Sequence, residues 1–577
     1  MQLINFSPAN CRNCYKCVRS CPVKAIRFKD GQAEIDDARC IACGQCFVVC
    51  PQNARNIRSD RDGVLQAMEA GKRVVALIAP SFAGFYRNRG GFIHALKDLG
   101  FSEVMEVAQG AEEVTARYRE HLEKEDPKDA ISTCCPTVNL LIRRYYPEAC
   151  NALLPAISPM MAMGKALKKE DPASYAVFIG PCLSKKCEIA ALGNEGMVDA
   201  VMTLEELHHL FEEKGIVPEA LSPRVPEVTA RHTGRNYPLS GGIGAGLASV
   251  IQAQGYDSIH VEGVREVREL LEELSTGSLK KAYIELAACS ESCIGGPCIP
   301  KDTISVFTRK QNVKDFVRTG WVLEGREDQE IRNQRKPLSF EGVDLASTYF
   351  PNPRTATLFS EEAIEGTLGR MGKFSKKDEL NCGACGYDSC RLKAQAVLEG
   401  MSEVEMCMPF MRSKAEHMTD IIFFNSPNII LILDEELRIQ QMNPSAEVTF
   451  GKKAEEVRDF PVSFLVDDPS FQAVVKGKEN ALNKRVNYAA YGIVVMQSTI
   501  YLPKENQVLV IMSDITDEEK RRQDLLEMKE KTLLITQKVI DKQMRVAQEI
   551  ASLLGETTAE TKVALNRLKS IVLKEGE

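Results

Sequence analysis

All 20 cysteines of this 577-residue chain lie before residue 408, and eight of them fall in two near-copies of one run, CRNCYKCVRSCP and CIACGQCFVVCP. Cys11, Cys14, Cys17 and Cys21, then Cys40, Cys43, Cys46 and Cys50, repeat one register, each run closed by a proline. Thiols this closely spaced let one loop wrap three corners of an iron–sulfur cube, whose iron needs soft, deprotonated sulfur. Structural zinc and disulfides compete for cysteine, but zinc sites rarely use three ligands in such a row, and disulfides need an oxidising compartment. The register therefore predicts an iron–sulfur protein.

The doubled run resembles the bacterial two-cluster ferredoxins. In that arrangement the fourth cysteine of each run crosses to the other cluster. The resemblance thus implies one 4Fe-4S centre on Cys11, Cys14, Cys17 and Cys50, and a second on Cys40, Cys43, Cys46 and Cys21.

The length implies several domains, and 44% hydrophobic with 27% charged residues is ordinary for globular protein. A net charge of -7, from 73 basic and 80 acidic residues, gives no footprint for nucleic acid or anionic membrane. Apolar runs such as Ile429 to Leu433 are too short to span a bilayer, and no basic-then-apolar leader opens the sequence, so a cytoplasmic protein is expected.

Five segments are expected, a multidomain mixture of α+β and α/β. A two-cluster ferredoxin-like domain covers 1–58. From 59 to 350, strand-like runs such as VVALIAP alternate with helical stretches, predicting a large two-lobed α/β domain. The charged stretch GREDQEIRNQRKPLSFEG reads as the exit from it. A small cysteine module spans 371–412. A cysteine-free, strand-rich segment covers 419–516, and a helical segment 517–577.

Three cysteine patches lie in the large domain: STCCPT from Ser132, GPCLSKKCE from Gly180 and ELAACSESCIGGPC from Glu285. None could hold a cube alone, whereas Cys135, Cys182, Cys289 and Cys293 could converge from three loops. In order and character these patches resemble the signature sequences of the iron-only (FeFe) hydrogenases. That resemblance implies an H-cluster, in which the four cysteines hold a 4Fe-4S cube and Cys293 also bridges to a two-iron subcluster carrying CO and cyanide. It implies further that Lys185 hydrogen-bonds a cyanide, that Glu188 supports the Lys185 loop, and that the Cys134 thiol exchanges protons with the two-iron site. Dihydrogen would be the substrate, a ferredoxin or other carrier the electron partner, and separate maturation proteins the source of the subcluster.

Departures from the family pattern point to low turnover. Gly180 and Ala287 stand where methionines usually contact the dinuclear iron, GGPCIP replaces GGGQP, and Thr137 and Val138 follow CCP where an aromatic is usual. Arg117, Tyr118 and His121 stand about where the family's acidic proton relay is expected.

In the small module, Cys382, Cys385, Cys390 and Cys407 resemble the single 4Fe-4S domain of corrinoid and acetyl-CoA pathway proteins, with zinc the competing occupant. Glycines beside the first ligands would let backbone N–H groups approach the sulfides. The cysteines outside these sixteen are Cys134, Cys150, Cys187 and Cys298, and Cys150 is expected to be packing.

Residues 419–516 resemble a PAS domain, ending in the Asp514 to Thr516 DIT triad that commonly hands such a sheet to an output helix. An ordinary α/β dimerisation module is the alternative. No histidine follows His417 and no cysteine follows Cys407, which argues against a histidine-ligated haem or a flavin–cysteine adduct there. Beyond it, Leu526, Leu533, Ile540, Ala547 and Leu554 recur every seven residues, a coiled-coil seam predicting a parallel dimer, with packing on its own domain as the alternative. This region carries no acceptor histidine or nucleotide-binding segment, so a signal is expected to leave through a separate kinase or phosphatase. The preferred expectation is a sensory hydrogenase. A metabolic ferredoxin-linked hydrogenase and an electron-transfer scaffold without the two-iron subcluster are the alternatives.

Overall fold

The computed structural model describes residues 3–554, apart from 8, 30, 192, 278, 301–303, 324, 336 and 355–356, together with 563 and 567. The chain forms two compact units, Met1–Phe410 and Met411–Glu577.

The first unit opens with two short antiparallel pairs. β1 (Ile4–Phe6) pairs with a later strand, and β2 (Ile26–Lys29) forms a hairpin with β3 (Gln32–Ile35); the partner of β1 is β4 (Arg55–Ile57). One short helix in each half, Lys16–Ser20 and Gln45–Val48, follows a cysteine loop, and each starts from a left-handed residue, Tyr15 or Gly44. Left-handed backbone at these points turns the chain tightly enough for the loops to curl round a centre.

Two parallel sheets follow. β5 (Val74–Ile78), β6 (Glu103–Glu106), β8 (Tyr175–Gly180) and β9 (Ala200–Thr203) lie in the order β6-β5-β8-β9, and β7 (Asp129–Ile131), β10 (Asp257–Glu262) and β11 (Ala282–Ala287) in the order β10-β11-β7. All pairs within these sheets are parallel, with Ile78 opposite Ile179 and Ile284 opposite Ile131. β5 is buried at every residue and β8 at all but its first, the continuous apolar runs that parallel strands covered on both faces require.

The stretch read as a domain exit is instead part of the core. Glu327 precedes a helix, Asp328–Asn333, in which Asp328 and Ile331 are buried, and Gln109 bonds both the N–H and the carbonyl of Leu338. Its charge misled because Asp328 is paired internally: the Arg235 guanidinium donates to Asp328 Oδ1 at 2.9 Å.

The small cysteine module rests on the ferredoxin-like part. Arg19 donates to the Ala384 carbonyl at 3.2 Å, the Phe28 N–H to the Met401 carbonyl at 3.2 Å, and Arg39 pairs with Glu399 at 2.9 Å. Gly386 has φ +93°, and a Cβ there would stand 2.8 Å from Val18 Cγ1, so the loop after Cys385 lies directly on the helix between Cys17 and Cys21.

In the second unit, β12 (Ile429–Asp434), β13 (Ile439–Met442), β14 (Ala481–Tyr488), β15 (Ile493–Leu502) and β16 (Gln507–Asp514) form one antiparallel sheet ordered β13-β12-β16-β15-β14. Between β14 and β15 a turn closed by Gly492 at φ +67° makes a hairpin. A 39-residue helix, Thr516–Leu554, follows. Most of the 555–577 stretch of the expected output segment lies outside the described residues. Among the described residues no helix is long and apolar enough to cross a membrane.

Candidate functional site

The carboxyl ends of the parallel strands meet at one cavity of about 130 Å³. β5 delivers Ala79 to Ser81, β7 the Cys134–Cys135 loop, β8 Pro181 and Cys182, β10 Val261 and Glu262, and β11 Ala287 to Cys289. Open parallel sheets place their ligand sites at this end, because the loops leaving the strands fan apart there. Cys135, Cys182, Cys289 and Cys293, from three distant patches, share the cavity wall with Cys134 and Lys185.

Each side chain is held by a local device. Cys135 stands at the N-cap position of the Pro136–Tyr145 helix, whose proline occupies the position where the missing N–H is harmless. The Lys185 ammonium donates to Glu188 Oε2 at 2.6 Å, one helical turn on. Both belong to the helix Ser184–Ile189, and Lys185 is buried. Tyr118, from the helix Ala108–Glu125, is fully buried with its hydroxyl 3.4 Å from Cys134 Sγ and 2.9 Å from Thr133 Oγ1. Of the three residues read at the relay position, Tyr118 thus touches the cavity thiol, whereas Arg117 pairs with Glu120 at 3.0 Å on the helix flank.

Burial pushes the Cys182 thiol up to about 11 and the Cys134 thiol up to about 12, and raises Cys289 and Cys293 further. Burial thus favours the neutral form of Cys182, Cys289 and Cys293 until a cation balances them, and Lys185 is already paired with Glu188. The thiolate is the metal ligand, so this donor set fits a multi-iron group that brings its own positive charge. Among the described residues no three His, Cys, Asp or Glu side chains approach closely enough for a single metal ion.

The other quartets are gathered as well. Cys11, Cys14, Cys17 and Cys50 line one small cavity, where buried Arg55 donates to Cys17 Sγ at 2.8 Å. Cys21 is an electrostatic neighbour of Cys40, Cys43 and Cys46, and N–H groups of Ala25 and Ala42 donate to Cys21 and Cys40 at 3.2 and 3.4 Å. Cys382, Cys385, Cys390 and Cys407 surround another cavity. Cys150 and Cys298 are buried in the core.

Sequence reasoning gave no role to Glu285, His260 or Arg55. Glu285 lines the main cavity and accepts the N–H groups of Ile243 and Gly244 at 3.1 and 2.9 Å. His260 Nδ1 stands 3.8 Å from Glu285 Oε2, and Ser258 Oγ stands 3.2 Å from His260 Nε2 toward the surface. The glycine-rich stretch SGGIGAG was the available signal, since consecutive N–H groups freed of side chains gather an anion.

The cavity abuts the second cysteine run. A Cβ on Gly44 would stand 2.7 Å from Pro297 Cβ and 3.4 Å from Leu183 Cδ2, and φ there is +76°. Gly44→Ala is therefore expected to lower stability by more than about 1 kcal/mol, read as a shifted denaturant midpoint of the reconstituted protein.

Residues 72–297 match the family described as "Iron only hydrogenase large subunit, C-terminal domain". The chain carries an iron-only hydrogenase-like domain. Residues 3–51 match "4Fe-4S dicluster domain" and 378–409 match "Putative Fe-S cluster", so 4Fe-4S regions flank the hydrogenase-like domain. The chain is 26% identical over 423 residues to "Iron hydrogenase 1" of Clostridium pasteurianum, covering 59% of this chain and 72% of the relative. It is 22% identical over 353 residues to "Cytosolic iron-sulfur assembly component 3" of Rattus norvegicus, covering 47% and 73%. A solved structure of the [FeFe]-hydrogenase HydA1 from Chlamydomonas reinhardtii aligns with TM-score 0.39 and 17% identity, over 52% of this chain and all of the other. One relative is named for hydrogen chemistry and one for iron–sulfur assembly, so the reaction of the hydrogenase-like domain is argued from its site.

The glycine in place of the family's methionine has a steric counterpart here. A Cβ on Gly180 would stand 2.9 Å from Phe178 Cε1 and 3.1 Å from Ala79 Cβ, so the Phe178 ring fills the space a larger side chain would need.

Proposed function

We propose that this chain binds dihydrogen and cleaves or forms it heterolytically at an H-cluster, and that it works as a hydrogen or redox sensor. The observation supporting this reading is one cavity that joins four thiols from three loops to a fifth thiol, Cys134, and a buried ammonium, Lys185. Cys135, Cys182, Cys289 and Cys293 would hold the cluster. When bound, it would supply the open iron position for dihydrogen and the exit for electrons.

The surrounding residues handle protons. Cys134 Sγ holds a proton at the cavity wall, within reach of the Tyr118 hydroxyl. Glu285, in the same cavity, is pushed up to about 7 by burial, the range in which a carboxyl both takes and gives a proton. His260 and Ser258 continue from it toward solvent. Lys185 keeps a positive charge facing the thiols while Glu188 fixes its position. A tyrosine beside Cys134 in place of a carboxylate, together with the small residues at 180 and 287, supports slow turnover.

The raised Glu285 value has a consequence for stability. An acid whose folded value exceeds its ordinary 4.5 keeps full stability below that value and loses it as pH rises to about 7. The loss is on the order of 3 kcal/mol, taking 1.36 kcal/mol per unit. Glu285→Gln is expected to flatten the melting temperature across this window, and to slow proton exchange with solvent in matured protein.

The second unit is read as a PAS domain whose helix signals through a separate kinase or phosphatase. Thr516 joins strand to helix, its N–H donating to Asp514 Oδ1 and its Oγ1 accepting the Val494 N–H, each at 2.9 Å. The helix exposes Leu525, Leu526, Met528, Leu534 and Ile535, an apolar surface a parallel homodimer would cover.

Infrared spectra of anaerobically matured protein, with and without hydrogen, together with turnover from a reduced mediator, test the reading. Bands of CO and cyanide that shift under hydrogen with slow turnover support the sensor. Fast turnover would favour a metabolic ferredoxin-linked enzyme, and absence of the bands from fully matured protein would reduce the chain to an electron-transfer scaffold.

A further inference from the structure

The cavity formed by Cys382, Cys385, Cys390 and Cys407 has two lysines in its wall, Lys373 and Lys393, and no carboxylate among its lining residues. Lys393 is 1% exposed. Its ammonium donates to the Ser402 hydroxyl and, at 2.6 Å, to the Glu403 carbonyl, and it lies 5.6 Å from the Tyr387 ring centroid. Lys373, also buried, donates to the Asp378 carbonyl at 2.7 Å. The Glu403 carboxylate accepts the Gly31 N–H at 3.4 Å on the ferredoxin-like side.

An ammonium taken out of water this completely costs several kcal/mol unless an opposite charge faces it. Its hydrogen-bond partners are neutral oxygens, and on the cavity side Cys385 and Cys407 would become thiolates on a cluster, adding negative charge to that of Glu403 and Glu405. Burial lowers the Lys393 value to about 8, and Cys385, Cys407, Glu403 and Glu405 act against that loss. Reducing a 4Fe-4S cube adds one negative charge, and a fixed cation at low dielectric stabilises the reduced form more than the oxidised one.

We propose that Lys393 sets the reduction potential of the cluster held by Cys382, Cys385, Cys390 and Cys407, keeping it high enough to accept an electron from the ferredoxin-like part on which the module rests. In that step a reduced cube of the ferredoxin-like part loses one electron and the C-terminal cube gains it. The ammonium keeps its proton and no bond forms or breaks. Lys393 is thus a positioning residue for charge, seated under a module whose fourth cysteine immediately precedes the Met408–Asn425 helix. The inference deepens the iron–sulfur part of the reading above and stands apart from the hydrogen chemistry.

The test uses the full chain with its cubes reconstituted and no two-iron subcluster, titrated with a chemical reductant and followed by electron paramagnetic resonance. The C-terminal signal is assigned by its loss in Cys382→Ala. Lys393→Met, with unchanged iron and sulfide content, is expected to lower that midpoint by at least about 59 mV, a tenfold change for one electron, while the ferredoxin-like signals stay in place. An unmoved midpoint overturns the proposal. Should Lys393→Met fail to load the module, Lys393→Arg decides: a cluster regained near the wild-type potential supports the charge role, and one not regained, or regained at a lowered potential, overturns it. Because no hydrogen is used, failure here and failure of the infrared test are separate results.

Discussion

Cys134→Ala is expected to leave the CO and cyanide bands of matured protein in place while lowering hydrogen turnover by about 10²- to 10⁴-fold, the usual contribution of a positioned proton donor. Cys134 is the cavity thiol outside the quartet, so its loss removes no ligand from Cys135, Cys182, Cys289 or Cys293. The fold should tolerate the change, because the Tyr118 hydroxyl keeps two partners: it accepts the Thr133 N–H and meets Thr133 Oγ1, both at 2.9 Å. Cys182→Ala is the control, expected to remove the bands altogether. Turnover in Cys134→Ala within a factor of two of wild type would move the proton route to Glu285, a carboxyl of that wall pushed up to about 7 by burial.

The second large effect is on stability. Arg235→Met is expected to destabilise the first unit by about 3–5 kcal/mol, the range for removing one partner of a buried ion pair. Arg235 is fully buried and donates through two nitrogens to Glu106, both at 2.8 Å, and through a third to Asp328. Its removal leaves two buried carboxylates, of which Glu106 keeps the Trp321 indole N–H and Asp328 the Trp321 backbone N–H. The neighbouring carboxylates hold the Arg235 value above its ordinary one, so the pair persists through the alkaline range. Denaturant unfolding of wild type and variant at pH 7, repeated at alkaline pH, checks both statements: the difference should persist, because Arg235 keeps its charge. A difference below about 1 kcal/mol at pH 7 would mean that Met packs well enough to offset the lost charge.

Some of this protein was legible because its chemistry is local. A cysteine run of fixed short spacing states its own geometry, since two or three intervening residues leave the loop few ways to close. The alternation of apolar runs with helical stretches announced an α/β domain, because a strand covered on both faces has no polar positions to spare. The seven-residue recurrence of leucine and isoleucine likewise announced a long helix, seen as Thr516–Leu554.

What depends on pairing between distant residues was not legible. The charged stretch after Gly325 looked like a linker because a sequence does not show that Asp328 meets Arg235. Glu285 looked like the first letter of a cysteine motif until the N–H groups of Ile243 and Gly244 were found on its carboxylate. Lys393 looked like one more lysine on a helix, and Gly386 like one more glycine, until the module was seen lying on Val18. The sequence by itself determined which thiols are available and how each loop can curl, because those are properties of neighbouring residues. Only the tertiary structure decided which thiols share a cavity, which charges are buried beside them and which glycines face another chain segment, because burial and electrostatics are set by whatever the fold brings within a few ångströms.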